Sequence, residues 1–428
     1  MSRVQFLIAA FALSSAAVTG PAVSQCRAQE PPVVIRAARL LDVQRGEIVP
    51  DAVVVVQGDR IAAVNPDALP AGADTIDLGD VTLLPGLIDA HTHLTVDLEG
   101  DWVHRGVTGT AAEAALNGAR NARRTLEAGF TTVRDLGAPA FADVALARAV
   151  ERGWIEGPRI VPSGHALGIT GGHCDETGYA PGILEGDWRA GVADGVDEVV
   201  KATRYQIKHG AKVIKVCATA GVLSHEASVG AQQYTEGELR AIVEEAARHD
   251  LKVAAHAHGT EGIKAAVRAG VASIEHGSLL DDEAIAMMKE RGTWLVPTTY
   301  LVGRIDLDAL PPGIRAKAEG VLPLAVESLR RAVAESVPIA FGTDAAVFPH
   351  GENAGEFAAL VDRGMDPLAA IRTATLNGAE LLGVDDRGVI APGRLADLIA
   401  VPGDPLVDVR VLEDVRFVML GGKVVSRR

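Results

Sequence analysis

The apolar run Leu83-Leu84-Pro85-Gly86-Leu87-Ile88-Asp89-Ala90 leads into His91-Thr92-His93, two histidines spaced i, i+2. Alternate residues of a strand face the same way, so both imidazoles project to one side. Two neutral imidazoles at the end of a buried strand make a half-site for zinc or a similar divalent ion. The plain alternative is a pair of hydrogen-bonded or exposed histidines. Lys215 sits among Val213, Ile214 and Val216, where an unpaired ammonium is costly and is relieved by a shifted pKa or a partner. A neutral lysine amine can take up carbon dioxide and become a carbamate, whose two anionic oxygens suit a bridge between two metal ions. A lysine stem reaching out to water is the other reading. Three further runs end in polar groups: Ala255-His256-Ala257-His258-Gly259, Glu275-His276-Gly277 and Phe341-Gly342-Thr343-Asp344.

These residues need elements that bring them together. Strand candidates recur at Thr131–Arg134, Arg159–Pro162, Lys212–Val216, Leu251–Ala255, Ala272–Glu275, Thr293–Val296 and Pro338–Phe341. Ala-rich segments with apolar residues at helical spacing, such as Glu238 to His249 and Glu261 to Ala269, lie between most of them. With the strand before His91 the count is eight, and eight strand–helix units with right-handed crossovers predict an α/β fold with a (β/α)8 TIM barrel over residues 85–385. Such a barrel carries its chemistry at the carboxyl ends of its strands. Every polar group singled out above falls at such an end.

Both chain ends read differently. Short β-branched runs punctuated by turn residues fill 31–84, with Gly58-Asp59 as a hairpin signal. The same pattern returns over 386–428, where Gly421-Gly422 separates two runs. Together they predict one small β-sandwich domain assembled from both termini. Residues 1–24 read as a signal peptide: Arg3, the apolar stretch Val4 to Leu13, then Ala22-Val23-Ser24 as a small-x-small cleavage site. The stretch is too short for a spanning helix of about 20 apolar residues. Export to the periplasm or the exterior is therefore expected, in preference to a lipid anchor at Cys26, which Ser24-Gln25 approach poorly. Cys174 and Cys217 show no framework spacing, and no disulfide is expected between them.

With a formal charge of -15 over 428 residues and no stripe of Lys and Arg, a nucleic-acid partner is excluded, as is a membrane partner after signal cleavage. A hydrophobic content of 48% with 4% aromatics suits a soluble α/β protein with aliphatic strands.

The motifs ending in His91-Thr92-His93, Ile214-Lys215, Ala255-His256, Glu275-His276-Gly277 and Gly342-Thr343-Asp344, in that order, resemble the metal-dependent amidohydrolase superfamily over nearly everything after the signal segment. Within it, Lys215-Val216-Cys217-Ala218-Thr219-Ala220-Gly221-Val222-Leu223-Ser224, Gln233-Tyr234-Thr235 and His256-Ala257-His258-Gly259 look like the binuclear prolidase and carboxypeptidase-like group that includes ochratoxin-degrading amidohydrolases. Thr375 to Gly383 looks like the superfamily's last barrel helix. The resemblance implies two Zn2+ ions: His91, His93 and Asp344 on one, His256 and His276 on the other, with carbamylated Lys215 and a hydroxide bridging them. Two ions about 3.5–4 Å apart acidify a bridging water and polarise a carbonyl. Asp344 would pass that water's proton to the leaving amine; capping the following segment is its alternative.

Around this set, His258 is a substrate or oxyanion contact, or else a support for a ligand. Tyr234 could donate its hydroxyl to the oxyanion or to a substrate carboxylate, as the resemblance implies, or stand exposed in its loop. His165 and His173, on the glycine-rich loop after the third strand, are substrate-binding candidates that could equally bond within the loop; Arg134 and Arg304 are further anion-binding candidates. The expected activity is zinc-dependent hydrolysis of an amide bond to a C-terminal amino acid, with a dipeptide or an N-acyl amino acid such as ochratoxin A as substrate, in a homo-oligomer. The alternatives are a cyclic amide or lactone hydrolase, imidazolonepropionase-like, and a non-catalytic barrel scaffold.

Overall fold

From Leu87 to Val296 strands alternate with helices, and the strands pair in parallel. The fold is taken from a computed structural model, which describes residues 31–96, 102–226 and 228–428. The expected signal segment 1–24 and Cys26 lie outside the described residues. In chain order the strands are β1 (Val33–Asp42), β2 (Glu47–Gln57), β3 (Arg60–Val64), β4 (Asp74–Asp77), β5 (Val81–Pro85), β6 (Leu87–Thr92), β7 (Phe130–Asp135), β8 (Arg159–Pro162), β9 (Ile214–Cys217), β10 (Val253–Ala257), β11 (Ser273–His276), β12 (Trp294–Val296), β13 (Leu398–Pro402), β14 (Phe417–Leu420) and β15 (Lys423–Arg427).

Both chain ends build one eight-stranded sheet, ordered β15-β14-β13-β5-β1-β2-β3 with β4 beside β1. Gly58-Asp59 closes the β2–β3 hairpin, with Gln57 opposite Arg60. Gly421-Gly422 closes β14–β15, with Leu420 opposite Lys423. One face buries Ile35, Val54, Leu83, Leu398 and Phe417, each worth about 1.5–3 kcal/mol on removal from water.

The run read as one strand before His91 is two. β5 belongs to the terminal sheet and β6 to the parallel set, and the chain crosses between them at Gly86. A Cβ there would stand 2.2 Å from Thr131 Oγ1, so only glycine lets β6 settle against β7 at this point.

The parallel strands form β6-β7-β8 and β12-β11-β10-β9. Isolated parallel bridges extend each set: Leu167 to Val216, Leu295 to Ile339, and Thr92 to Ala345. The eighth expected strand, Pro338–Phe341, is held through such a bridge and through Ala90 N–H donating to the Phe341 carbonyl at 2.8 Å. Helices fill the connections as their spacing predicts. Glu236–Ala247 begins with a capping box in which Thr235 and Glu238 satisfy each other's backbone N–H. Thr260–Ala269 follows β10, and Leu376–Leu382 closes the series. Between strands and helices lies the main core, where the tilted rings of Phe130, Phe341 and Phe357 follow one another with centroids 5.3 and 4.5 Å apart. No helix among the described residues is long and apolar enough to cross a membrane.

Candidate active site

The carboxyl ends of β6, β9, β10 and β11 and the turn after Phe341 open into one cavity of about 1310 Å3, lined by His91, His93, Lys215, His256, His258, His276 and Asp344. Asp344 is the centre of one cluster: its Oδ1 lies 3.4 Å from His91 Nε2 and 3.3 Å from His93 Nε2. Candidate ligand atoms of His91, His276 and Asp344 all fall within 4.8 Å of one another, as do those of His256, His258 and His276. The imidazole rings of His256 and His276 are 4.7 Å apart. Buried His256 Nε2 meets no protein partner, which is costly unless a ligand takes its lone pair. The donor set, neutral imidazoles beside a carboxylate and a buried amine, suits a divalent ion of the zinc type.

Local backbone holds these groups in place. His276 and Asp344 both adopt left-handed conformations, φ 72° and 59°, at a cost of order 1–3 kcal/mol each. At Gly342 a Cβ would come within 2.9 Å of His91 Cβ and 2.3 Å of Val296 Cγ1, so the lack of a side chain lets the Asp344 turn approach His91. Buried Asp89 ties the same turn to β6, accepting from Thr343 Oγ1 at 2.7 Å and from Asn353 Nδ2 at 2.8 Å. Two side-chain hydroxyls steady the histidines: Thr298 Oγ1 lies 2.8 Å from His276 Nδ1, and Ser278 Oγ lies 2.7 Å from His258 Nδ1.

Charge follows burial. Desolvation lowers His91 and His173 to about 4 and His258 to about 3, and drives His256 and His276 well below the usual imidazole value. Neutral rings are what a metal needs. Desolvation also brings Lys215 down to about 8. Burial would raise Asp344, but His91, His93 and His276 outweigh it and hold the carboxylate well below its ordinary value. His93 moves up, because its hydrogen bond to Asp344 overcomes its own desolvation.

The substrate candidates divide. His258 and His173 line the cavity, and the His173 ring stacks on His256 with centroids 4.1 Å apart and its Nδ1 without a protein partner. His165 also lines it, but both its nitrogens are engaged: Nε2 accepts from Ala140 N–H at 3.0 Å, and Nδ1 donates to Gln206 Oε1 at 3.3 Å. It therefore holds its loop. Tyr234 is a correction. Its ring is fully buried outside the cavity lining, and its hydroxyl donates to the Ala193 carbonyl at 3.2 Å. The residue leads into the Thr235-capped helix, and that packing turns it into the core, away from any oxyanion. Arg134 is another: it is buried against Glu275 at 2.9 Å and does not line the cavity. Arg304 stays at the cavity wall, paired with Glu352.

The cysteine expectation is overturned. Cys174 and Cys217 form a disulfide with Cα atoms 5.8 Å apart. Their separation of 43 residues spans a loop that folds back over the end of β9, a long-range closure that local spacing does not encode. Sequence reasoning also overlooked Glu275, quoted only as part of its motif, and the apolar cavity wall from Leu301 to Leu322, which no motif marks.

Residues 82–425 match the Amidohydrolase family. Ochratoxinase of Aspergillus niger is 39% identical over 368 residues, covering 80% of this chain and 75% of that protein. A crystal structure of a Xaa-Pro dipeptidase with methionine bound in its active site superposes with a TM-score of 0.88 at 37% identity, covering 92% of this chain and 99% of that one. A prolidase complexed with N-methylphosphonate-L-proline superposes with a TM-score of 0.85 at 35% identity, covering 93% and 100%. A match over residues 82–425, together with a relative 39% identical over 80% of this chain, means that the chain belongs to the amidohydrolase family.

Proposed function

We propose that this amidohydrolase cleaves the amide bond to a C-terminal amino acid, as a dipeptidase or carboxypeptidase, with N-acyl amino acids such as ochratoxin A in its substrate range. The observation that carries the reading is the convergence of five histidines, Lys215 and Asp344 on one cavity. In this reading the parallel strands are a (β/α)8 barrel, His91, His93 and Asp344 would hold one zinc, His256 and His276 would hold another, and Lys215, carbamylated, would supply a shared anionic ligand. When bound, such a pair of ions supplies Lewis acidity and an acidified water. The chain's residues do the rest. Asp344, kept ionised by its histidines, takes a proton at its carboxylate and returns it to the leaving amine nitrogen. His258, neutral and held at Nδ1 by Ser278, has Nε2 left for a substrate oxygen. His173 closes the opposite wall over His256. The apolar side, with Leu301, Val302 and Leu322, excludes water and accepts a hydrophobic substituent.

Ochratoxinase and the Xaa-Pro dipeptidase support an amino-acid leaving group, and the whole ligand set speaks against a non-catalytic scaffold. We further propose that the chain is exported and assembles with copies of itself. The test is a panel of Xaa-Xaa dipeptides and N-aroyl amino acids incubated with zinc-loaded protein, following free amino acid. Release from members with an apolar C-terminal residue is expected. Hydrolysis of cyclic amides or lactones alone would defeat the proposal.

A further inference from the structure

We infer that Glu275 and Arg134 form a buried, charged strut across the inside of the parallel strands that positions His91 for its metal ion. Glu275 stands on β11 and His91 on β6, in different strand sets. Glu275 Oε2 lies 2.8 Å from His91 Nδ1. Its Oε1 accepts from Arg134 Nη2 at 2.9 Å and from Ser273 Oγ at 2.5 Å. Arg134 Nε in turn donates to the Ala90 carbonyl at 2.5 Å, so the guanidinium grips the backbone just before His91 while the carboxylate grips its ring.

The consequence is a fixed tautomer. A carboxylate at Nδ1 keeps the imidazole proton there and leaves the lone pair on Nε2, the atom that faces Asp344. Such outer partners set the orientation and basicity of a ligating histidine. Neither Glu275 nor Arg134 lines the cavity, so both are positioning residues. The inference rests on the reading of His91 as a ligand to the first ion.

A buried ion pair could serve the fold alone, and the experiment separates the two roles. Removing one partner strands a buried charge, whereas replacing both with apolar residues of similar volume is often neutral for stability. The pair is therefore replaced together, as Arg134→Met with Glu275→Leu, and compared with Glu275→Gln, which keeps an oxygen able to accept from Nδ1. Thermal unfolding is read beside zinc affinity, measured by chelator competition with zinc as the only added ligand. The expected result is wild-type-like melting in the double variant with zinc bound about 10–100-fold more weakly at one of two sites, and an intermediate loss in Glu275→Gln. Recovery of zinc affinity along with stability in the double variant overturns the strut. If the double variant does not fold, unchanged zinc affinity in Glu275→Gln overturns it. A wild-type chain that takes up no zinc overturns the metal reading and the strut with it.

Discussion

At the scale of single residues, Asp344 and Lys215 separate chemistry from scaffolding. Asp344→Asn keeps the shape of the side chain and one oxygen for the ion proposed beside His91 and His93 but removes the proposed proton acceptor. Its turnover should fall by about 10²–10⁴-fold with the melting temperature nearly unchanged; steady-state kinetics beside calorimetry decides, and near-normal rates would discard Asp344 as the proton carrier. Lys215→Ala should lower the metal content of purified protein, read by elemental analysis; an undiminished metal content would remove Lys215 from the ligand set. The gathering of His91, His93, Lys215, His256, His276 and Asp344 on one cavity was legible in the sequence, because a histidine pair, an apolar-flanked lysine and a Gly-Thr-Asp at strand ends are local patterns. The roles of Tyr234 and Arg134 were not, since their neighbours Ala193 and Glu275 lie 41 and 141 residues away.

Among elements, the segments between strands keep the histidines aligned. Glu356, on the helix Gly355–Asp362, accepts from Thr299 and Tyr300 N–H at 2.9 and 2.6 Å, fixing the turn whose first residue, Thr298, bonds His276. Burial raises this carboxyl to about 8 from 4.5. The folded state thus keeps a proton that the unfolded chain gives up above pH 4.5. The resulting stability is fully present below that value and is lost as pH rises through 8, at up to about 1.4 kcal/mol per pH unit. Glu356→Gln cannot ionise, so its stability should decline less between pH 5 and 9. Denaturant titrations at three pH values test this, and parallel curves for the two proteins would refute it. Gly342→Ala should push the Asp344 turn off His91 and cost zinc affinity before it costs secondary structure, visible as weaker zinc binding with unchanged circular dichroism. Periodicity revealed the strands and helices themselves. It set the boundary between the two parts at residues 84/85 yet carried one strand across it, because one apolar run can feed two sheets without any change of pattern.

For the whole molecule, the terminal sheet and the parallel set were foreseeable from alternation and β-branched runs, yet the tie between distant loops was not. The Cys174–Cys217 bond anchors the His173 loop beside Lys215. Closing a loop of 43 residues is worth about 4 kcal/mol in the chain-entropy view, so the Cys174→Ser, Cys217→Ser chain should melt several degrees lower. Thiol counting under denaturing conditions without reductant should detect Cys26 at most, and three free thiols would show that the bond does not form. Whoever prepares the protein inherits the outcome. Material made in the thiol-rich interior of an expression host would carry an unfastened wall over its histidine-lined pocket, so assays of such batches would report the handling of sulfur as much as the enzyme.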